Sequence, residues 1–233
     1  MIAMVSGMCP PRHPNHNSNG CATPLLVTLL LLVTLAATTA AAQESEPAQQ
    51  ESPRTESGAA SFGKFLAGGA IGLATHEAGH LLFDAIFDAD PVVRRVDFHG
   101  IPFFAITHRS GLPPRQELAI SSAGFWVQHA ESEWLLSRRP HLRDEHAPLA
   151  KGVLAFDVLA SGAYAVAAFA KTGPVERDTR GIAESARIDE RWVGAMILAP
   201  AVLDTIRYFR PGAKWAKWAS RGSKIGFVLL LFR

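Results

Sequence analysis

From Ser61 to Phe87 the chain reads SFGKFLAGGAIGLATHEAGHLLFDAIF, an apolar run whose only full charges are Lys64, Glu77 and Asp84. A bilayer-crossing helix needs about 20 such residues, and this stretch is long enough. Gly63, Gly68 and Gly72 recur at near-helical spacing, and small residues let neighbouring helices approach closely. Asp90-Pro91 ends the element. A segment like this lies either in lipid or in the core of a helical domain. The whole chain leans towards lipid: 48% of its 233 residues are hydrophobic and only 19% are charged. That balance excludes a disordered chain and a coiled coil. With 23 basic and 21 acidic residues and no nucleic-acid-binding signature, no nucleic-acid partner is expected.

Ahead of this run lies an uncharged block, Leu25 to Ala42, whose core LLVTLLLLVTLAA ends in small residues. It reads as a signal peptide cut near Ala42/Gln43, or as an uncleaved signal anchor. Residues 1–42 are assigned to it, and both readings put Gln43 outside the cytoplasm. Cys9 and Cys21 precede the apolar core, so cleavage would leave no cysteine for disulfides or thiolate metal sites. Residues 43–60 are polar, acidic and poor in large apolar groups, as in a disordered linker.

Val92 to Thr107 has strand composition interrupted by Gly100 and Pro102, which predicts a short irregular hairpin. Pro113-Pro114 opens a helix over Arg115 to Ser137. Residues 149–171 form a second spanning candidate, and Trp192 to Phe209 a third, broken or kinked at Pro200. Between them lies the charged stretch PVERDTRGIAESARIDER. Residues 210–233 form a basic amphipathic tail, in which Trp215 and Trp218 alternate with Lys214, Lys217 and Arg221. Tryptophan favours the membrane interface and cations favour anionic lipid; a solvated basic helix is the alternative. The expected fold is mainly α: a polytopic helical membrane bundle over residues 61–209 with a short irregular β-hairpin. Three crossings from an outer N-terminus would place the protein in the cell membrane with its C-terminus in the cytoplasm, in line with the positive-inside rule.

His76-Glu77-Ala78-Gly79-His80 carries the chemistry. On a helix, residues i and i+4 stack on one face, so both imidazoles can bind one metal ion. Glu77 lies beside them, where a carboxylate can take a proton from metal-bound water. Zn2+ accepts nitrogen and oxygen ligands and leaves a position open for water. Two histidines and a glutamate on an otherwise apolar helix are costly without a role. A third ligand is needed from another helix. Asp204 and Asp157 are the acids within the later apolar runs, and Asp204 follows Pro200, which frees the backbone before it. The alternative for Asp204 is an ion pair with Arg207. Asp157 is an alternative ligand or accepts a hydrogen bond from a ligand histidine, and the same two roles are open to Asp84, one turn beyond His80. His99 and His108 read as loop histidines, and the strand near Ile101 to Ile106 as an ordinary hairpin edge or one that pairs with an extended substrate.

HEAGH within a glycine-rich apolar helix resembles the site-2 protease family of intramembrane zinc metalloproteases. The resemblance covers roughly residues 61–209, and only the HExxH match is specific. It implies a zinc-dependent peptidase with Glu77 activating water and His76, His80 and Asp204 as ligands. Asp204 stands in Pro200-Ala201-Val202-Leu203-Asp204-Thr205, similar to the family's LDG-like motif with Thr205 in place of its Gly. Ala123-Gly124-Phe125 and Gln128 loosely echo its AGP-and-Asn motif, with Phe for Pro and Gln for Asn. The expected partners are membrane lipids and a peptide or membrane-protein substrate. Two other readings stay open: a secreted or periplasmic soluble HExxH zinc peptidase, and a non-catalytic membrane protein with a structural or degenerate metal site.

Overall fold

A computed structural model describes residues 57–98 and 101–230. The signal segment, Cys9, Cys21, His99 and nearly all of the 43–60 linker lie outside the described residues.

The chain is mainly helical. Helix α1 spans Gly58–Ile86. Strands β1 (Val92–Phe98) and β2 (Ile101–Thr107) follow it. Helices α2 (Pro114–Arg138), α3 (Pro148–Ala170), α4 (Asp178–Ala186), α5 (Glu190–Phe209) and α6 (Lys214–Leu229) complete the order. The Ser57 hydroxyl caps α1 by accepting from the Ala60 N–H. Beyond its last turn Asp88 and Asp90 both adopt left-handed backbone angles, which turn the chain into the hairpin.

The hairpin is more regular than its sequence predicts. Its antiparallel register runs from Val92 opposite Thr107 to Phe98 opposite Ile101. Pro102 is tolerated because a two-stranded sheet leaves one side of each strand unpaired. Pro200 likewise lies inside an unbroken α5. Among the described residues two helices are long and apolar enough to cross a membrane: α3, with mean hydropathy 1.8, and α5, with 1.2. Helix α1 is long enough, but its Gly, Thr, His and Glu dilute its apolarity. The third crossing is therefore not found, and the parity that placed the tail opposite residues 43–60 goes with it.

Helix α1 packs on α3 and α2, α3 on α5, and α5 on α6. Two close approaches set this arrangement. A methyl at Gly68 would collide with the Leu149 carbonyl oxygen of α3, and one at Gly152 with the Phe65 carbonyl oxygen of α1. One at Gly79 would lie 2.7 Å from the Ala123 carbonyl oxygen of α2. Backbone therefore meets backbone on both sides of α1. Phe125, Ile182, Val193, Ile197 and Phe227 form the main apolar core. Much of the remaining interior is polar: His76, His80, Gln128, Asp157, Asp204 and Arg207 are all buried. Large apolar side chains such as Phe62, Leu66, Leu159, Val166 and Trp192 face outward.

Candidate metal centre

One turn of α1 brings His76 and His80 onto the same buried face, with their Nε2 atoms 3.3 Å apart. The third member comes from the connector between α3 and α5. Asp178, the first residue of α4, places Oδ2 3.5 Å from each Nε2. Together the three residues can hold a metal ion.

The surrounding hydrogen bonds decide which imidazole nitrogens are free. Gln128 donates through Nε2 to the Asp157 carbonyl (2.6 Å) and to the Ser161 hydroxyl (2.7 Å). Its Oε1 must therefore accept, and its partner is His76 Nδ1 at 2.9 Å. His80 Nδ1 donates to the Ile120 carbonyl oxygen at 2.8 Å. In the neutral rings both protons lie on Nδ1, so both Nε2 lone pairs point into the same space, where Asp178 adds a carboxylate oxygen. Three converging acceptors repel one another unless a metal ion, or a proton on one imidazole, lies between them. A tetrahedral ion with bonds of about 2.0–2.1 Å separates its ligands by about 3.3–3.4 Å, and the observed edges fit.

Space is kept for the ion as well. A methyl at Gly124 would lie 2.6 Å from both Nε2 atoms. Phe125 meets the His76 ring edge-on at 5.2 Å, and Tyr164 stacks on it at 6.0 Å. Tyr164 and Asp178 line the same end of the adjoining cavity.

Asp178 is held by a separate clamp. Arg177 donates through Nε and Nη2 to the two carboxylate oxygens of Glu190, each at 2.7 Å. The Thr179 hydroxyl donates to Glu190 at 2.7 Å, and Arg177 also reaches the Pro174 carbonyl at 3.0 Å. The residues on both sides of Asp178 are thus tied to the first turn of α5. Burial alone would raise the Asp178 carboxyl, but the facing His80 and His76 overcome it and hold the group below the usual carboxylate range.

A tetrahedral ion held by these three residues would keep a fourth position for another ligand. The cluster borders a cavity of about 930 Å³. Glu77, His80, Tyr164 and Asp178 line its polar end, and residues of α3, α5 and β2 such as Leu159, Val166, Val202 and Phe104 line the rest. Glu77 is half-buried beside the histidines, as its place in HEAGH predicts.

Asp204 is not in the cluster. Its carboxylate meets Lys224 Nζ at 2.7 Å and Arg207 Nη1 at 3.0 Å. The hydroxyls of Ser220 (2.6 Å) and Ser132 (2.9 Å) donate to it as well. Four donors saturate its oxygens. The Arg207 pair anticipated as the alternative is present, joined by a lysine from α6. Asp157 contributes only its backbone carbonyl, through Gln128; no hydrogen-bond partner meets its buried carboxylate oxygens. Asp84 is buried with one oxygen 3.5 Å from His108 Nδ1. His108 is no exposed loop residue, since Glu117 takes its Nε2 at 2.9 Å.

Sequence reasoning missed Asp178 because it lies in a run dense with charges. The available signal was its place at a helix start, between an arginine and a threonine. Compared with known proteins, the chain matches no family model, no curated protein and no solved structure.

Proposed function

We propose that this chain is a membrane-embedded zinc metallopeptidase in which His76, His80 and Asp178 hold the ion and Glu77 is the general base. The observation that carries the reading is the convergence of two Nε2 lone pairs and one carboxylate oxygen beside a cavity that also contains a glutamate. A bound zinc supplies Lewis acidity and lowers the pKa of its water to about 7. Glu77 takes the proton of the attacking water on its carboxylate and returns it to the departing amide nitrogen. Gln128 and the Ile120 carbonyl keep both imidazoles in the ligating tautomer throughout. The apolar walls accept apolar side chains. Phe104, Ala105 and Ile106 of β2 border the cavity, and an extended substrate backbone can pair with that strand. Membrane embedding is supported by α3 and α5 and by the polar interior beneath an apolar exterior.

The test is metal analysis of the detergent-purified chain, combined with hydrolysis of a fluorogenic apolar peptide. Wild type should hold one zinc and cleave. His76→Ala and Asp178→Ala should lose the metal. Glu77→Gln should keep it and lose cleavage. Stoichiometric zinc in Asp178→Ala refutes the ligand set, and cleavage by Glu77→Gln refutes the base.

A further inference from the structure

Helix α6 is amphipathic in the reverse sense to a surface helix of a soluble protein. Its inner face carries Ala216, Ser220, Lys224 and Phe227, all buried. Its outer face carries Trp215, Trp218, Ile225 and Leu229, all exposed, with Trp218 68% exposed. At 100° per residue these four fall within about 80° of one another, and Gly222 lies among them. No charge interrupts that stripe. Lys214 and Lys217, both exposed, flank it on one side. Arg210 precedes the helix, and no acidic residue occurs from residue 210 to the end of the chain.

The helix cannot roll to hide this stripe. Lys224 Nζ is paired with Asp204 and Ser220 donates to the same carboxylate. Phe227 packs edge-on against Phe125 at 6.4 Å. Arg221 is drawn to Glu133 at 2.8 Å while its guanidinium lies 5.4 Å from the Trp218 ring. The buried ion pairs thus fix the rotation that presents the tryptophans outward.

We propose that α6 is an interfacial anchor: its tryptophan stripe lies in the headgroup–acyl boundary of a bilayer rich in anionic lipid, with Lys214 and Lys217 on the phosphates. Tryptophan's amphipathic ring favours that depth, and a stripe flanked by lysines without acids complements an anionic surface. The anchor depends on neither the zinc chemistry nor the number of crossings; a chain released from membranes by carbonate would still carry it.

The experiment uses the full chain with anionic (phosphatidylglycerol-containing) or purely zwitterionic phosphatidylcholine bilayers, reconstituted or added as vesicles. Emission of wild type minus that of Trp215→Phe/Trp218→Phe isolates the two indoles from the other three tryptophans. In anionic bilayers this difference signal should be quenched at least twofold by lipids brominated near the carbonyl region and should resist aqueous iodide. Lys214→Glu/Lys217→Glu should lose the advantage of anionic over zwitterionic lipid. Iodide quenching without bromine quenching overturns the proposal and leaves the stripe to a protein partner. Bromine quenching that is identical in both lipids overturns the charge assignment. Metal content measured on the same samples reports separately on the zinc site.

Discussion

Gly124→Ala separates a metal seat from ordinary helix packing. The new methyl would lie 2.6 Å from His76 Nε2 and His80 Nε2, where ordinary contact begins near 3.4 Å. Both rings would have to recede by about 0.8 Å, whereas a competent metal site tolerates ligand errors of about 0.2 Å. Neither ring has room to spare: Gln128 and Phe125 hold one, and the Ile120 carbonyl holds the other. Losing one outer hydrogen bond costs about 10–100-fold in metal affinity, so displacing two ligands should cost at least about 100-fold. The fold should survive, because replacing a mid-helix glycine by alanine returns up to about 1 kcal/mol of helix propensity against the local crowding. Gly79→Ala provides the contrast. Its methyl would meet the Ala123 carbonyl at 2.7 Å, backbone that cannot yield, so α1 and α2 must part. It should destabilise by about 1–3 kcal/mol. The assay is zinc competition against a chromophoric chelator, with thermal melting followed by circular dichroism. A Gly124→Ala protein that binds zinc with wild-type affinity would refute the geometry of the site.

Gln128→Leu should weaken zinc about 10–100-fold without unfolding the chain, because His76 then loses the acceptor that fixes its tautomer; chelator titration reads this. Asp204→Ala should retain zinc yet destabilise by about 1–3 kcal/mol, because Lys224 and Arg207 keep Glu133 as counter-ion but lose the buried carboxylate that Ser132 and Ser220 also bond; metal analysis of a protein with a lowered melting point checks both halves. His108 gains a hydrogen bond to Glu117, which outweighs its burial and raises its pKa. Its contribution to stability is complete below the unfolded value of about 6.5 and is lost as pH rises through the raised folded value. His108→Gln should therefore lower the melting temperature at pH 5.5 and leave it nearly unchanged well above the folded pKa. Equal losses at both pH values would contradict this.

The helices were legible because apolar runs bounded by Pro and Asp leave few other structures available. α2, α3 and α5 lie within a residue or two of their sequence-predicted spans. Helix α4 was not legible: nine residues of mixed charge carry no long periodic signal, and the helix exists through burial of Thr179, Ile182 and Ala183. The same contrast divides the site. His76, Glu77 and His80 are local, so spacing alone places them. The third ligand is a tertiary fact, and lone acids in apolar helices attract attention that acids among arginines do not. Asp204 stood out for the cost of its burial, but the cations that offset that cost lie three residues ahead and on a later helix.

The position of Asp178 also has a mechanical consequence. Among residues 56–233 there is no cysteine, so no disulfide can tie this unit together. An ion shared by His80 and Asp178 would close a loop of about 100 residues, a clasp between the first helix and the far connector. A covalent link closing a loop of that length removes denatured-chain entropy worth about 4.7 kcal/mol, and a tightly held ion acts on the same term while it stays bound. Withdrawing the metal should therefore lower the melting temperature of the whole unit without freeing the connector on its own, because the Arg177–Glu190 pair still holds it.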